Sequence, residues 1–186
     1  MAINLEKGGR FNLTKKEPSL QKAMIGLGWE LKPGVSIDLD ASVFMLAKNG
    51  KLPADEFFVF YNNLNSPDGA IKHTGDNRTG VGEGDDEMIL VNLSKVDASI
   101  DEVLILVSIH EAIIKNHHFG LLEEAYIRLV NVDTKKEIIR YNLGNNYPHD
   151  TEIVFGKLKR NNNEWVFEAT GMGSQKGLQE YINAYA

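Results

Sequence analysis

The apolar residues of this chain come in short runs, and that limits its architecture more than any other feature. AMIGLGW (23–29), SIDLDASVFML (36–46), EFFVFY (56–61), MILVNL (88–93) and VLILVSI (103–109) come first. AYIRLVNV (125–132), KEIIRYNL (136–143), EIVFGKL (152–158) and EWVFEAT (164–170) continue the series. Turn-forming Asn, Asp, Gly and Lys stand between the runs, as in NVDTKK at 131–136 and KRNNNE at 159–164. The polar segment 5–19 carries Leu5, Phe11 and Leu13 in the alternation of an early edge strand. Many short strands without regular intervening helices predict an all-β sandwich or barrel rather than alternating β–α units.

Two helical exceptions are expected. One is a short helix in HEAIIKNH at 110–117. The other lies in the tail GSQKGLQEYINAYA at 173–186, with Ser174 as its N-cap. Leu178, Tyr181, Ile182 and Tyr185 share one face of that helix and predict packing on the strands, although Gly177 weakens it. Trp29 and Trp165 read as core residues.

At 186 residues the chain is most simply one domain, 1–186, with a substantial core. A formal net charge of −6 argues against direct nucleic-acid binding, which depends on neutralising phosphates. No apolar run approaches the roughly 18 residues of a membrane-spanning helix. The start, MAINLEKGGRF, lacks the apolar middle of a signal peptide, so a cytoplasmic location is expected. With no cysteine, disulfides, thiolate metal sites and cysteine nucleophiles are excluded.

Between 38 and 87 the chain gathers carboxylates, amides and glycines instead of hydrophobes. In SIDLDAS, Ile37, Leu39, Ala41, Val43 and Met45 face one way along a strand, and Asp38, Asp40 and Ser42 face the other. YNNLNSPDG (61–69) supplies Asn62, Asn63, Asp68 and the carbonyl of Gly69. HTGDNRTGVGEGDDE (73–87) supplies Asp76, Asn77, Asp85, Asp86 and Glu87. Three consecutive acids would repel one another if left bare, and a multivalent hard cation bound by oxygen ligands would neutralise them. Calcium binding, Ca2+, is therefore expected, ahead of magnesium with its compact octahedral shell. An EF-hand does not fit: with Asp76 at loop position one, Arg78 and Gly80 fall at positions three and five, and Val81 replaces the required glycine. GVGEGDDE also lacks the Lys-Ser/Thr ending of a phosphate-binding loop. Phe57, Phe58, Phe60 and Tyr61 are expected to anchor the 62–69 loop from below.

Signs of catalysis are few. Of the five histidines (His73, His110, His117, His118 and His149), none sits in an HExxH motif, and no GxSxG elbow, kinase signature or dinucleotide fingerprint occurs. His73, beside the acidic loop, is the one histidine placed to orient a ligand. A non-catalytic protein is expected. The competing expectation is a metal-dependent enzyme that acts in the acidic-loop pocket on a phosphate-containing or other anionic small molecule.

Several of these motifs together resemble the TerD family of bacterial tellurium-resistance and stress-response proteins. They are GLGW at 26–29, DLDAS at 38–42, FYNNLNSPDG at 60–69, HTGDNRTGVGEGDDE at 73–87, AYIRLVN at 125–131, RYNL at 140–143, FGKLKR at 155–160 and EWVFEATG at 164–171. The resemblance spans essentially the whole chain; Glu30, Lys157 and the Lys176-Gly177 pair are modest departures. It implies a two-sheet β-sandwich with short peripheral helices and a C-terminal helix. It also implies calcium, two ions, in the clustered loops, with Asp38, Asp40, Asn62, Asn63, Asp68, Asp76, Asn77, Asp85, Asp86 and Glu87 on the family's acidic or amide positions and Gly69 and Gly82 as carbonyl donors. Capture of a soft chalcogen would call for thiols, which this chain lacks. The resemblance therefore implies a scaffold or sensor, with other stress-response proteins of the same system as partners, in a complex peripheral to the inner membrane through those partners.

Overall fold

The computed structural model describes residues 2–74, 84–142 and 147–186. Among them the strands form two six-stranded sheets that face each other. The first has the order β1 (Ile3–Asn4), β10 (Glu137–Asn142), β9 (Leu122–Asn131), β3 (Lys22–Leu31), β7 (Glu87–Asn92) and β6 (Ile71–His73). The second runs β2 (Arg10–Asn12), β12 (Glu164–Ser174), β11 (Glu152–Asn161), β8 (Ile100–Ile109), β4 (Leu39–Ala47) and β5 (Phe58–Val59). Only the short β1–β10 pair is parallel among the pairings described. The expected two-sheet β fold is what the chain adopts.

Period-two alternation sets the core. Ile37, Leu39, Ala41, Val43 and Met45 all enter the layer between the sheets, where Ile25 and Leu27 of β3 and Ile127 and Leu129 of β9 meet them. Trp29 and Trp165 are buried there as expected. The central strands of the second sheet are also apolar on their outer face: Phe44, Leu46, Leu104, Leu106 and Val154 form a second cluster. Helix α3 (Leu178–Tyr185) covers it with Leu178, Tyr181, Ile182 and Tyr185, the face read from the sequence.

Two local readings change, the short helix expected at 110–117 is present as one turn, and one further turn is added. Ser174 does not cap α3; it stays in β12 opposite Glu152, and its hydroxyl bonds the Glu152 carboxylate and Tyr181. Gly177, at φ +83°, makes the turn into the helix, a conformation without steric penalty only for glycine. The expected strand at 56–61 shrinks to β5, because a 3₁₀ turn at Asp55–Phe57 precedes it and Phe60 and Asn63 exchange backbone hydrogen bonds just after it. The helix expected within 110–117 is the single turn α2 (Ala112–Lys115). A further turn, α1 (Leu13–Lys16), follows β2, with the Asn12 side chain accepting from Lys15 N–H as its N-cap.

Of the four aromatics expected beneath the 62–69 loop, Phe58, Phe60 and Tyr61 pack in series, whereas Phe57 packs on the layer between the sheets. Phe44 stacks on Phe58 at 4.3 Å between ring centroids, Phe58 on Phe60 at 4.5 Å, and Tyr61 meets Phe60 edge-on at 5.1 Å. Phe44 also contacts Tyr185 of α3, so one ring ties β4, β5 and the terminal helix together. Phe44→Ala should therefore destabilise the protein by about 3–5 kcal/mol. Urea unfolding followed by tryptophan fluorescence would detect it, and a loss under about 1 kcal/mol would mean that the outer layer contributes little.

Candidate functional site

The three consecutive acids separate as soon as the chain enters β7. The carboxylate of Asp85 lies across β3 on the outer face of the first sheet, directly over Gly26, where any Cβ would overlap it. There it meets Arg128 of β9, whose Nε is 2.9 Å from Oδ1 and whose Nη2 is 3.0 Å from Oδ2; Tyr126 Oη donates to Oδ1 at 3.0 Å. Asp86 extends the β3–β7 ladder beyond its last backbone pair: its N–H donates to Leu27 O, and its Oδ2 accepts from Trp29 N–H at 2.9 Å. Glu87 points inward and crosses the sandwich. Its Oε2 accepts from Ala41 N–H of β4 at 2.7 Å, beyond the two positions that β5 pairs, Val43 and Phe44. The fully buried His73 ring lies 3.7 Å from the same oxygen.

Behind Asp85 the charges alternate. Arg128 Nη1 bonds Glu137, and Glu137 bonds Arg140, whose guanidinium lies 4.1 Å from the Tyr126 ring centroid. Hydrogen bonding to Asp85 first, and to Glu137 after the opposing effect of burial, holds the Arg128 pKa well above its ordinary value. Tyr126 is pushed up to about 12, mainly by burial and then by Asp85. The Arg140 hydrogen bond keeps Glu137 below the usual glutamate range, against partial burial. Asp86 goes the other way: burial raises its pKa more than the Trp29 N–H lowers it, and Asp85 adds repulsion.

The remaining acidic and amide residues are dispersed. Asp68 Oδ1 accepts from Ser66 Oγ and Ala70 N–H, and its Oδ2 from Asp97 N–H, fastening two loops together. Asn63 donates its amide to Glu56 O and Phe58 O. Asn62 is exposed, and Gly69 N–H closes a turn onto Ser66 O. Asp38 gives its carbonyl to His110 N–H just before β4, and the buried Asp40 carboxylate lies 3.5 Å from His110 Nδ1. Asp76, Asn77 and Gly82 lie outside the described residues.

The expectation of calcium is corrected by this arrangement. Among the described residues no group of three or more His, Cys, Asp and Glu side chains is placed to hold a metal ion. Consecutive residues of an extended chain point apart, and Asp68, Asp85, Asp86 and Glu87 are directed at the protein's own N–H, hydroxyl and guanidinium donors. The competing metal-dependent enzyme would need the same ion.

Sequence reasoning missed a second constellation. On the outer face of the second sheet, one row of cross-strand neighbours reads Asp40, Ser108, Glu152, Ser174 over β4, β8, β11 and β12. It continues the apolar face of Phe44, Leu104, Leu106 and Val154 beyond the end of α3. Glu152 is 1% exposed; Thr151 Oγ1 donates to its Oε1, and Ser174 Oγ and Lys176 N–H donate to its Oε2. Asp40, Ser108 and Glu152 of this row floor a cleft of about 450 Å³ walled by His110, α2 and the start of α3. A signal was available: Ser108 and Glu152 interrupt otherwise apolar registers in VLILVSI and EIVFGKL.

Comparison with known proteins now places the chain. The TerD domain family matches residues 1–185. Over 187 residues the chain is 44% identical to tellurium resistance protein TerD of Serratia marcescens, covering all of this chain and 97% of that protein. General stress protein 16U of Bacillus subtilis (strain 168) is also 44% identical, over 188 residues, again with 100% and 97% coverage. A solved homologue of telluride resistance protein (TerD) from Streptomyces coelicolor A3(2) superimposes with a TM-score of 0.73 at 21% identity, covering 88% of this chain and 95% of that one. The chain belongs to the TerD family.

Removing one partner of the Asp85–Arg128 pair leaves the other charge in a largely desolvated place. Arg128→Ala should lower stability by about 2–4 kcal/mol, and Asp85→Asn combined with Arg128→Met should cost less than Arg128→Ala alone. Additive losses in denaturant titrations would contradict that coupling.

The depressed Glu137 pKa has a defined sign. Its contribution is fully present above the ordinary value of 4.5 and is lost as pH falls through the lower folded-state value. Glu137→Gln should therefore show a shallower loss of melting temperature than the wild type between about pH 5 and pH 2, and parallel curves would refute the linkage.

Proposed function

We propose that this chain is a non-catalytic scaffold or sensor of a bacterial stress response, acting through contact with other proteins of the same system. The observation that carries the reading is full-length similarity to proteins named for tellurium resistance and for general stress. The stress protein SCP2 of Bacillus subtilis, 39% identical over the whole of both chains, adds to it. The geometry supports the non-catalytic part: the acidic side chains that first suggested chemistry serve as fasteners between strands, sheets and loops. Among the described residues no helix is long and apolar enough to cross a membrane, so attachment to a membrane complex is assigned to partners. A soft chalcogen finds no thiol in this chain, which makes any effect on tellurite tolerance indirect.

The test is dosage. In a host lacking its own copy, expression of the chain should raise survival on tellurite to an optimum and then depress it at high excess. A surplus scaffold binds its partners separately and keeps them apart. Survival that climbs to a plateau and holds there at high excess would favour an enzyme and overturn the scaffold reading.

A further inference from the structure

The cleft floored by Asp40, Ser108 and Glu152 combines features that neither the fold nor the fastening acids require. Glu152 is almost fully buried and bonded by three neutral donors, and among the described residues no Lys, Arg or His lies within salt-bridge distance of it. A carboxylate held in that setting favours an incoming cation. Ile109 and Leu178 make part of the wall apolar, which suits an aliphatic stem behind a charged head. The Tyr61 and His110 rings, edge to face at 6.0 Å, stand at the same cleft. On its rim, α2 holds Ile113 and Ile114 at 68% and 85% exposure. Residues in the left-handed region bracket that turn, Glu111 at φ +52° and Asn116 at φ +54°.

We propose that this cleft receives the lysine or arginine side chain of a segment of a partner protein, whose apolar neighbours pack on Ile113 and Ile114. The Glu152 carboxylate selects the cation, and the exposed isoleucines select a peptide over a free amine, because they offer apolar surface on the rim that an ammonium group alone would leave uncovered. The inference rests on the scaffold reading and names the chemistry of its partner.

The experiment uses the purified full chain and fluorescein-labelled heptapeptide pools. The central residue is fixed as arginine, lysine, citrulline or glutamate, and the flanking positions are drawn from alanine, leucine and serine. Fluorescence anisotropy should show the arginine and lysine pools binding about tenfold or more tighter than the citrulline pool, the loss expected for one charge-assisted hydrogen bond. Ile113→Ser with Ile114→Ser, at exposed positions where folding is not at stake, should weaken binding, and so should Glu152→Gln in a preparation shown to be folded by circular dichroism. Amide shifts in ¹⁵N–¹H spectra should move at His110–Lys115 and Ser174–Leu178. Equal binding of the arginine and citrulline pools, no binding by any pool, or shifts confined to another surface would overturn the proposal. Spermidine binding as tightly as the basic pools and unaffected by the isoleucine changes would overturn the protein occupant. None of these outcomes bears on the dosage response, so the two readings fail separately.

Discussion

Strands β4 and β8 are apolar on both faces, and most of the remaining architecture answers to that. One face is covered by the first sheet. The other needs a second layer, which the chain supplies with its own C-terminus: α3 lies over Phe44, Leu46, Leu104 and Leu106 and closes the outer cluster. An eight-residue helix is only about 12 Å long, and a ten-residue strand such as β8 is nearly three times that. The helix therefore cannot cover the full strand, and the uncovered end is where the strands turn polar, at Asp40, Ser108 and Glu152. The cleft follows from the mismatch in length between a helix turn and a strand.

At the same end of β4 a buried carboxyl group joins the two sheets in addition to packing. The Glu87 carboxylate accepts Ala41 N–H in place of a strand partner that β5 is too short to provide. Asp86 does the same for Trp29 N–H at the end of the β3–β7 ladder. Acids in these positions satisfy backbone donors that would otherwise be buried without a partner, at a desolvation cost that appears in the raised Asp86 pKa. Asp85 meets Arg128 instead, and the alternation Asp85, Arg128, Glu137, Arg140 carries the charges from the approach to β7 onto β9 and β10.

The strand content and its alternation were legible because burial on a pleated surface repeats every two residues, and Ile37 to Met45 obey that repeat without exception. The apolar face of α3 was legible for the matching reason in a helix. The disposition of the acids was not. Their adjacency shows that Asp85, Asp86 and Glu87 need neutralising, but the agents are Arg128, 43 residues away, and Ala41, 46 residues away. Pairing of that range is decided by sheet topology, which no local pattern carries, and so a bound cation looked necessary where Asp85, Asp86 and Glu87 each meet a protein donor. Ser174 illustrates the same limit: its sequence context reads as a helix cap, yet cross-strand pairing with Glu152 keeps it in β12.

The single turn α2 is the one element that stability alone does not explain. Two non-glycine residues in the left-handed region cost on the order of 1 kcal/mol or more each. The Glu111–Lys115 pair, at half-exposed positions, returns only a few tenths of that. Burial of Ala112 and the His117 N–H bond to its carbonyl hold the turn in place. The residues thereby displayed are two adjacent isoleucines, which gain nothing from water. Glycine at 111 and polar residues at 113 and 114 would satisfy the same backbone with less strain and less exposed apolar surface. A turn with these residues, beside a cleft whose buried carboxylate meets only neutral donors, makes physical sense when something else completes the surface.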